Sequence, residues 1–209
     1  MSPRLTEERK EERGQQILDA AKRVFARKGY GAATLKDIIE ETGMSRGWIY
    51  LYYQTKEEIF EAVLDQMDMD YEQSLEHLKA ETSTIWQMIE TLFARQQQEL
   101  EQAEGGLMSA FYEYFLVGWR YPDRREVLTR RYERGIERFA QILQTGVSRG
   151  EFVPAMPVQD ISRLVASFQE GIVAHTHAVG ATKANTALQL KSLLRYLGSL
   201  LQRPEEEAL

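Results

Sequence analysis

Between Ser45 and Lys56 the chain reads SRGWIYLYYQTK: two cations, Arg46 and Lys56, a tryptophan at 48, tyrosines at 50, 52 and 53, and no acid. A guanidinium fork, an ammonium, phenol hydroxyls and an indole are groups that hold anions and lie against flat apolar edges. They are not a bond-making set. Only three histidines and no cysteine occur in 209 residues, which removes disulfides, thiolate nucleophiles and thiolate metal sites. No paired acidic metal motif, phosphate loop or Ser/His/Asp constellation stands out, so no catalytic residue is expected. His175 and His177, two residues apart on a helix, point about 200° from each other and cannot share one ion. Neither a metal nor a cofactor is expected.

The elements that must position this set are helices. Prolines stand only at 3, 122, 154, 157 and 204, and alternating β-branched runs joined by tight turns are missing. A first helix is predicted from about Glu11 to Lys28 on the apolar spacing of Ile17, Ala20, Ala21, Val24 and Phe25, ended by Gly29. Thr34 is an N-cap for a short helix to Thr42, with Asp37 three residues on, and Gly43 permits a sharp turn. Ser45 caps a third helix of about two turns holding Ile49 and Tyr50. A longer fourth helix begins near Thr55 or Lys56. Short helix, glycine turn and short helix in this order make a helix-turn-helix. Its second helix would carry Arg46, Gly47 and Trp48 into the DNA major groove. There Arg46 pairs with guanine O6 and N7, Gly47 lets the backbone approach closely, and Trp48 lies against a thymine methyl or a sugar edge.

The formal charge of −6 argues against a nucleic-acid partner only until its distribution is read. Residues 1–60 hold 11 Lys or Arg and 10 Asp or Glu, so the acid excess lies in the remaining 149 residues. A local basic face on an acidic body binds DNA without the whole surface adhering. The N-terminal stretch PRLTEERKEER mixes Arg4, Arg9, Lys10 and Arg13 with four glutamates; its near-cancelled charge reads as a solvated helix extension.

The run TLKDIIEETGMSRGWIYLYYQTKEEIF, preceded by ILDAAKRVFARKGY, resembles the DNA-binding domain of the TetR family of bacterial regulators over about 50 residues without a gap. The resemblance implies that Tyr50, Tyr52 and Lys56 clamp phosphates, that Lys36 reaches the groove edge, and that Thr34 caps its helix and offers a hydroxyl or N–H to a phosphate. With Ser45, Arg46, Gly47 and Trp48 these complete the expected DNA set. Tyr53 is expected in the small domain's core. The expected architecture is all-α, about nine helices: a helix-turn-helix domain over 1–56 and a ligand-binding and dimerisation domain over 57–209.

Beyond residue 82 longer helices are predicted at 84–103, 107–120, 123–149, 158–180 and 184–202. An aromatic cluster, Phe93, Phe111, Phe115, Trp119, Tyr132 and Phe168, is expected to line a pocket for a small hydrophobic or aromatic effector, with core packing as the competing explanation. His175 would meet the pocket or the dimer seam. Leu190, Leu193, Leu194, Leu197 and Leu201 form a broad apolar face on the last helix, expected to pack on a second copy as a four-helix bundle. The resemblance implies a cytoplasmic homodimeric repressor of a palindromic operator, released by its effector, with the fourth helix as lever. The alternative is a DNA-binding regulator that senses no ligand, or an activator; an enzyme with an accessory helix-turn-helix is disfavoured by the missing constellations. No leader segment and no stretch of about 18 apolar residues is present, so no membrane partner is expected.

Overall fold

A computed structural model describes residues 7–102 and 106–202, with side chains from Arg9 onward. It contains ten helices among the described residues: α1 (Glu7–Ala32), α2 (Leu35–Thr42), α3 (Arg46–Ile49), α4 (Lys56–Glu81), α5 (Ile85–Gln102), α6 (Leu107–Gly118), α7 (Pro122–Ser148), α8 (Val158–Val179), α9 (Ala181–Ala184) and α10 (Thr186–Leu201). No strand occurs among them. The tenth element is α9, which falls at the expected break before the last helix; Asn185, with a left-handed φ of 52°, separates it from α10. None of the described helices is long and apolar enough to cross a membrane.

The chain divides into two compact units, Met1–Ser74 with Gly105–Val117, and Leu75–Glu104 with Gly118–Leu209. The division falls elsewhere than at residue 56. Helix α4 continues unbroken past that point, and α6 supplies a piece of the first unit from far along the sequence.

In the first unit, Ile17, Ala20, Ala21, Val24 and Phe25 of α1 are fully buried, as are Ile38 of α2, Ile49 of α3, and Ile59, Phe60 and Val63 of α4. Tyr114 of α6 completes this core: its ring lies 5.0 Å from Tyr30 and 5.1 Å from Phe60, and its hydroxyl donates to Glu61 at 2.6 Å. Gly29 leaves helical geometry at φ 76° and ψ 168°, a conformation open to glycine. Just beyond, the Gly31 N–H donates to the Glu113 carboxylate at 2.7 Å.

In the second unit α8 packs between α7 and α10, and α5 lies along α10. The buried set includes Ile89 and Phe93 of α5, Ile136 and Leu143 of α7, Ile161 and Val165 of α8, and Leu190, Leu193, Leu197 and Leu201 of α10. Helix α5 is capped by Thr84, whose hydroxyl oxygen accepts the Gln87 N–H at 3.1 Å. Glu151, from the turn after α7, accepts the Ile85 and Trp86 N–H groups at 2.7 and 3.3 Å, a carboxylate placed on the positive end of the helix.

Candidate nucleic-acid interface

The geometry of α2 and α3 begins with a reciprocal cap. Thr34 Oγ1 accepts the Asp37 N–H at 3.2 Å while the Asp37 carboxylate accepts the Thr34 N–H at 2.9 Å and its hydroxyl proton at 2.8 Å. Gly43 ends α2 at φ 65°. Ser45 occupies the cap position of α3 without a side-chain hydrogen bond, and its hydroxyl is exposed. Helix α3 is one turn rather than two. After Ile49 the backbone tightens, with Leu51 N–H bonded to Trp48 O at 3.2 Å and Tyr52 N–H to Ile49 O at 2.9 Å.

Salt bridges tie α2 to α1. Arg23 and Arg27 both bind Glu41, at 2.8 and 3.0 Å, and Lys28 binds Asp37 at 2.6 Å. The two arginines, Arg23 foremost, hold the Glu41 carboxyl below its ordinary range. Lys28, and then Thr34, hold Asp37 down to about 2 from the ordinary 3.8. Because the folded value is the lower one, Asp37's contribution to stability is present above about pH 4 and is lost as the pH falls toward 2. Asp37→Asn should therefore melt below wild type near neutrality, and the gap in melting temperature should close over that acid window. A gap that stays constant down to pH 2 would contradict the assignment.

Arg46 stands exposed at the start of α3. Its Nη2 donates to the Tyr50 hydroxyl at 3.1 Å, and its guanidinium lies 5.2 Å from the Tyr50 ring centre. Gly47 is exposed, and a Cβ built there would meet nothing within 4 Å. Trp48 is half-buried beneath Arg13 of α1, whose guanidinium sits 4.4 Å from the indole centre. Tyr52 is half-buried beside Gly14, and Lys36 is exposed in a loose 3.5 Å pair with Glu40. Ser45, Arg46, Gly47, Trp48 and Tyr50 thus come together on and around α3, while the hydroxyl of Thr34 is engaged in its own cap. Tyr53 is half-buried, and burial pushes its phenol pKa up. Leu51, 73% exposed, is a surface residue on this turn that sequence reasoning passed over.

The structure gives Lys56 a different occupation from the expected phosphate clamp. Its half-buried ammonium donates to the carbonyls of Tyr30, Gly31 and Ala33 at 2.8, 3.3 and 2.8 Å and lies 4.6 Å from the Tyr30 ring centre. These are carbonyls at the end of α1 that the helix itself leaves open, and a cation there also suits the helix dipole. Lys56→Ala is expected to lower stability by about 2 kcal/mol, the scale of charge-assisted hydrogen bonds lost together, measured by urea unfolding. The salt dependence of DNA binding should stay unchanged. A wild-type unfolding midpoint with a shallower salt slope would return Lys56 to the phosphate role.

The expected pocket aromatics fall in both units. Phe111 and Phe115 lie in the first unit, their rings 5.8 Å apart. Phe93 is buried in the second unit, whereas Trp119, Tyr132 and Phe168 are exposed there. Phe93 lines an open groove of about 360 Å³ between α5 and α10 with Ala94, Leu190, Lys191 and Leu194. The expected dimer leucines are covered by their own chain. Leu190, Leu193, Leu197 and Leu201 are buried against α5 and α8, and Leu194 is half-buried in that groove. One apolar stripe on α10 is wide enough to meet two neighbours, so these leucines are covered within the chain. The large side chains left open on these helices include Phe168 of α8, 6.0 Å from Tyr196 of α10, and Leu188.

Residues 17–63 match the family described as bacterial regulatory proteins, tetR family, and residues 88–187 match the tetracyclin repressor-like C-terminal domain. The uncharacterized HTH-type transcriptional regulator YfiR of Bacillus subtilis is 34% identical over 99% of this chain and all of its own length. Among solved structures, a TetR-family regulator from Cytophaga hutchinsonii superposes with a TM-score of 0.77 at 18% identity, covering 97% of this chain and all of that one. FadR of Bacillus subtilis, solved with stearoyl-CoA, superposes with a TM-score of 0.70 at 20% identity, covering 88% and 96%.

Proposed function

Given that this chain belongs to the TetR family of bacterial transcriptional regulators, and so is a DNA-binding regulator and not an enzyme, we propose that it is a cytoplasmic homodimeric repressor. Two heads occupy a palindromic operator, and a small hydrophobic or aromatic effector releases them. The observation that carries the reading is the Arg46–Tyr50 pair on the exposed start of α3, with Trp48 beside it. A guanidinium already held in place by a phenol enters the groove with less conformational freedom to lose. Lys36, Tyr50 and Tyr52 flank it as backbone contacts, and the exposed Ser45 and Gly47 let the phosphodiester and base edges come close.

For the dimer, the outward stripe of α8 supports the reading better than the leucines of α10. Leu164, Phe168, Gly171 and His175 recur at helical spacing, and a Cβ at Gly171 would meet nothing within 4 Å. A glycine inside a helix costs about 1 kcal/mol relative to alanine, a cost offset where a second helix must approach closely. Phe168 and Tyr196 would then bury their exposed rings against the partner in a four-helix arrangement. The Phe93 groove supports an effector with an apolar body. Such a molecule shifts the population only if it binds the released form more tightly.

The test is selection of duplexes from a random pool by the full chain, followed by sedimentation of the complex. A recovered inverted repeat with half-sites about 34–36 Å apart, or a multiple, and two chains per site supports the proposal. A pool without consensus, or one chain per duplex, overturns it.

A further inference from the structure

Summed along the sequence, the start of α1 is close to neutral; wound into a helix, it is not. At about 100° per residue, Arg9, Lys10 and Arg13 fall within an arc of about 100°, while Glu11 and Glu12 project from the other side of the helix. The stacking of Arg13 on Trp48 at 4.4 Å fixes where the basic arc faces: toward the side on which α3 presents Arg46 and Trp48. The next residue, Gly14, lies against the Tyr52 ring, close enough that a Cβ would stand 3.8 Å from it. The second turn of α1 is therefore flush against two aromatic residues of the candidate interface.

Four other cations of the first unit are occupied. Arg23, Arg27 and Lys28 hold Glu41 and Asp37, and Lys56 holds carbonyls. Arg9 and Arg13 form no ion pair among the described residues, and Arg9 is exposed. Along α1 they are separated by about 6 Å, close to two base-pair steps of 3.4 Å on one strand.

We infer that the DNA-binding face extends onto α1, where Arg9 takes a backbone phosphate beside the groove entered by α3, and Arg13 takes a second while holding the Trp48 indole in its reading position. The inference rests on the operator-binding reading above. Phosphate contacts carry no sequence information, whereas a displaced indole alters which base edge is met, so the two arginines should fail differently.

The experiment titrates the full chain, at several salt concentrations, with the duplex recovered by selection and with a scrambled duplex of equal length. Arg9→Gln is expected to weaken both by the same factor and to reduce the slope of log affinity against log salt by about 0.9 per contact, about 1.8 for two bound heads. Arg13→Gln should do the same and also narrow the gap between the two duplexes. In a chain carrying Trp86→Phe and Trp119→Phe, it should further shift the Trp48 emission before any DNA is added. Unchanged affinities and slopes in both variants would overturn the inference. Urea unfolding of both variants, expected close to the wild-type midpoint, separates a lost contact from a lost fold. If no duplex is recovered, or Arg46→Ala binds as wild type does, the operator reading fails first; if those controls behave and Arg9→Gln and Arg13→Gln do not differ from wild type, only the α1 extension fails.

Discussion

Tyr114→Ala is expected to lower the stability of the protein by about 3–5 kcal/mol, the range for removing a large buried aromatic. Its side chain is fully buried, its ring packs edge-on to Tyr30 and tilted to Phe60, and its hydroxyl is bonded to Glu61. Truncation leaves a void among rings that belong to α1 and α4 and cannot collapse without moving both. Tyr114→Phe keeps the ring and loses one hydrogen bond to a carboxylate, so about 1–2 kcal/mol is expected. Urea unfolding read by tryptophan emission would order the two variants. If Tyr114→Ala unfolded at the wild-type midpoint, α6 would not be part of the core that supports the DNA-reading helices.

Arg46→Ala should show the largest loss of discrimination between the selected duplex and a scrambled one. A bidentate guanine contact is worth about 1–3 kcal/mol, and the proposed pair of heads on a palindrome would double it, so about 2–6 kcal/mol is expected on the selected site. Much less should be lost on the scrambled one. Tyr50→Phe should move affinity in the same direction by a smaller amount, since it releases the guanidinium from its 3.1 Å partner without deleting it. Arg46→Lys should not restore the preference, because an ammonium lacks the planar fork. Competition binding measures all three. Equal losses on both duplexes would reassign Arg46 to a phosphate.

What the sequence disclosed of the fold was local. The Thr34 and Asp37 spacing wrote its own cap, Gly43 and Gly29 stand where the backbone leaves ordinary geometry, and the apolar periods of α1, α2 and α4 are the faces that are buried. Partners distant in sequence were not legible. Tyr114 lies between Phe111 and Phe115, two of the residues expected at the pocket, and nothing in the local pattern singles it out. Tyr112 and Tyr114 are both buried although a turn of about 100° per residue sets them on opposite sides of α6, while Phe115 and Trp119 are open, and nothing local says which face meets α1. Lys56 reads like a phosphate contact until the end of α1 is folded beside it, 25 residues away. The leucines of α10 announced a buried stripe but not what buries it. Charge counting at Arg9 to Arg13 is uninformative for the opposite reason: a sum takes no account of the helical period that separates the signs.

The contribution of α6 to the first unit also has a consequence for how the protein comes into being. Synthesis delivers residues in order, at about 5–20 per second, so the segment up to Ser74 leaves the ribosome before the piece from Gly105 to Val117 that finishes its core. For a few seconds the nascent helix-turn-helix has its recognition elements but the Tyr30–Phe60 ring pair, 4.8 Å apart, lacks the side chain that covers it. A fragment ending at residue 74 would stay in that condition permanently, and adding the DNA-reading head alone to another protein would transplant an incomplete structure.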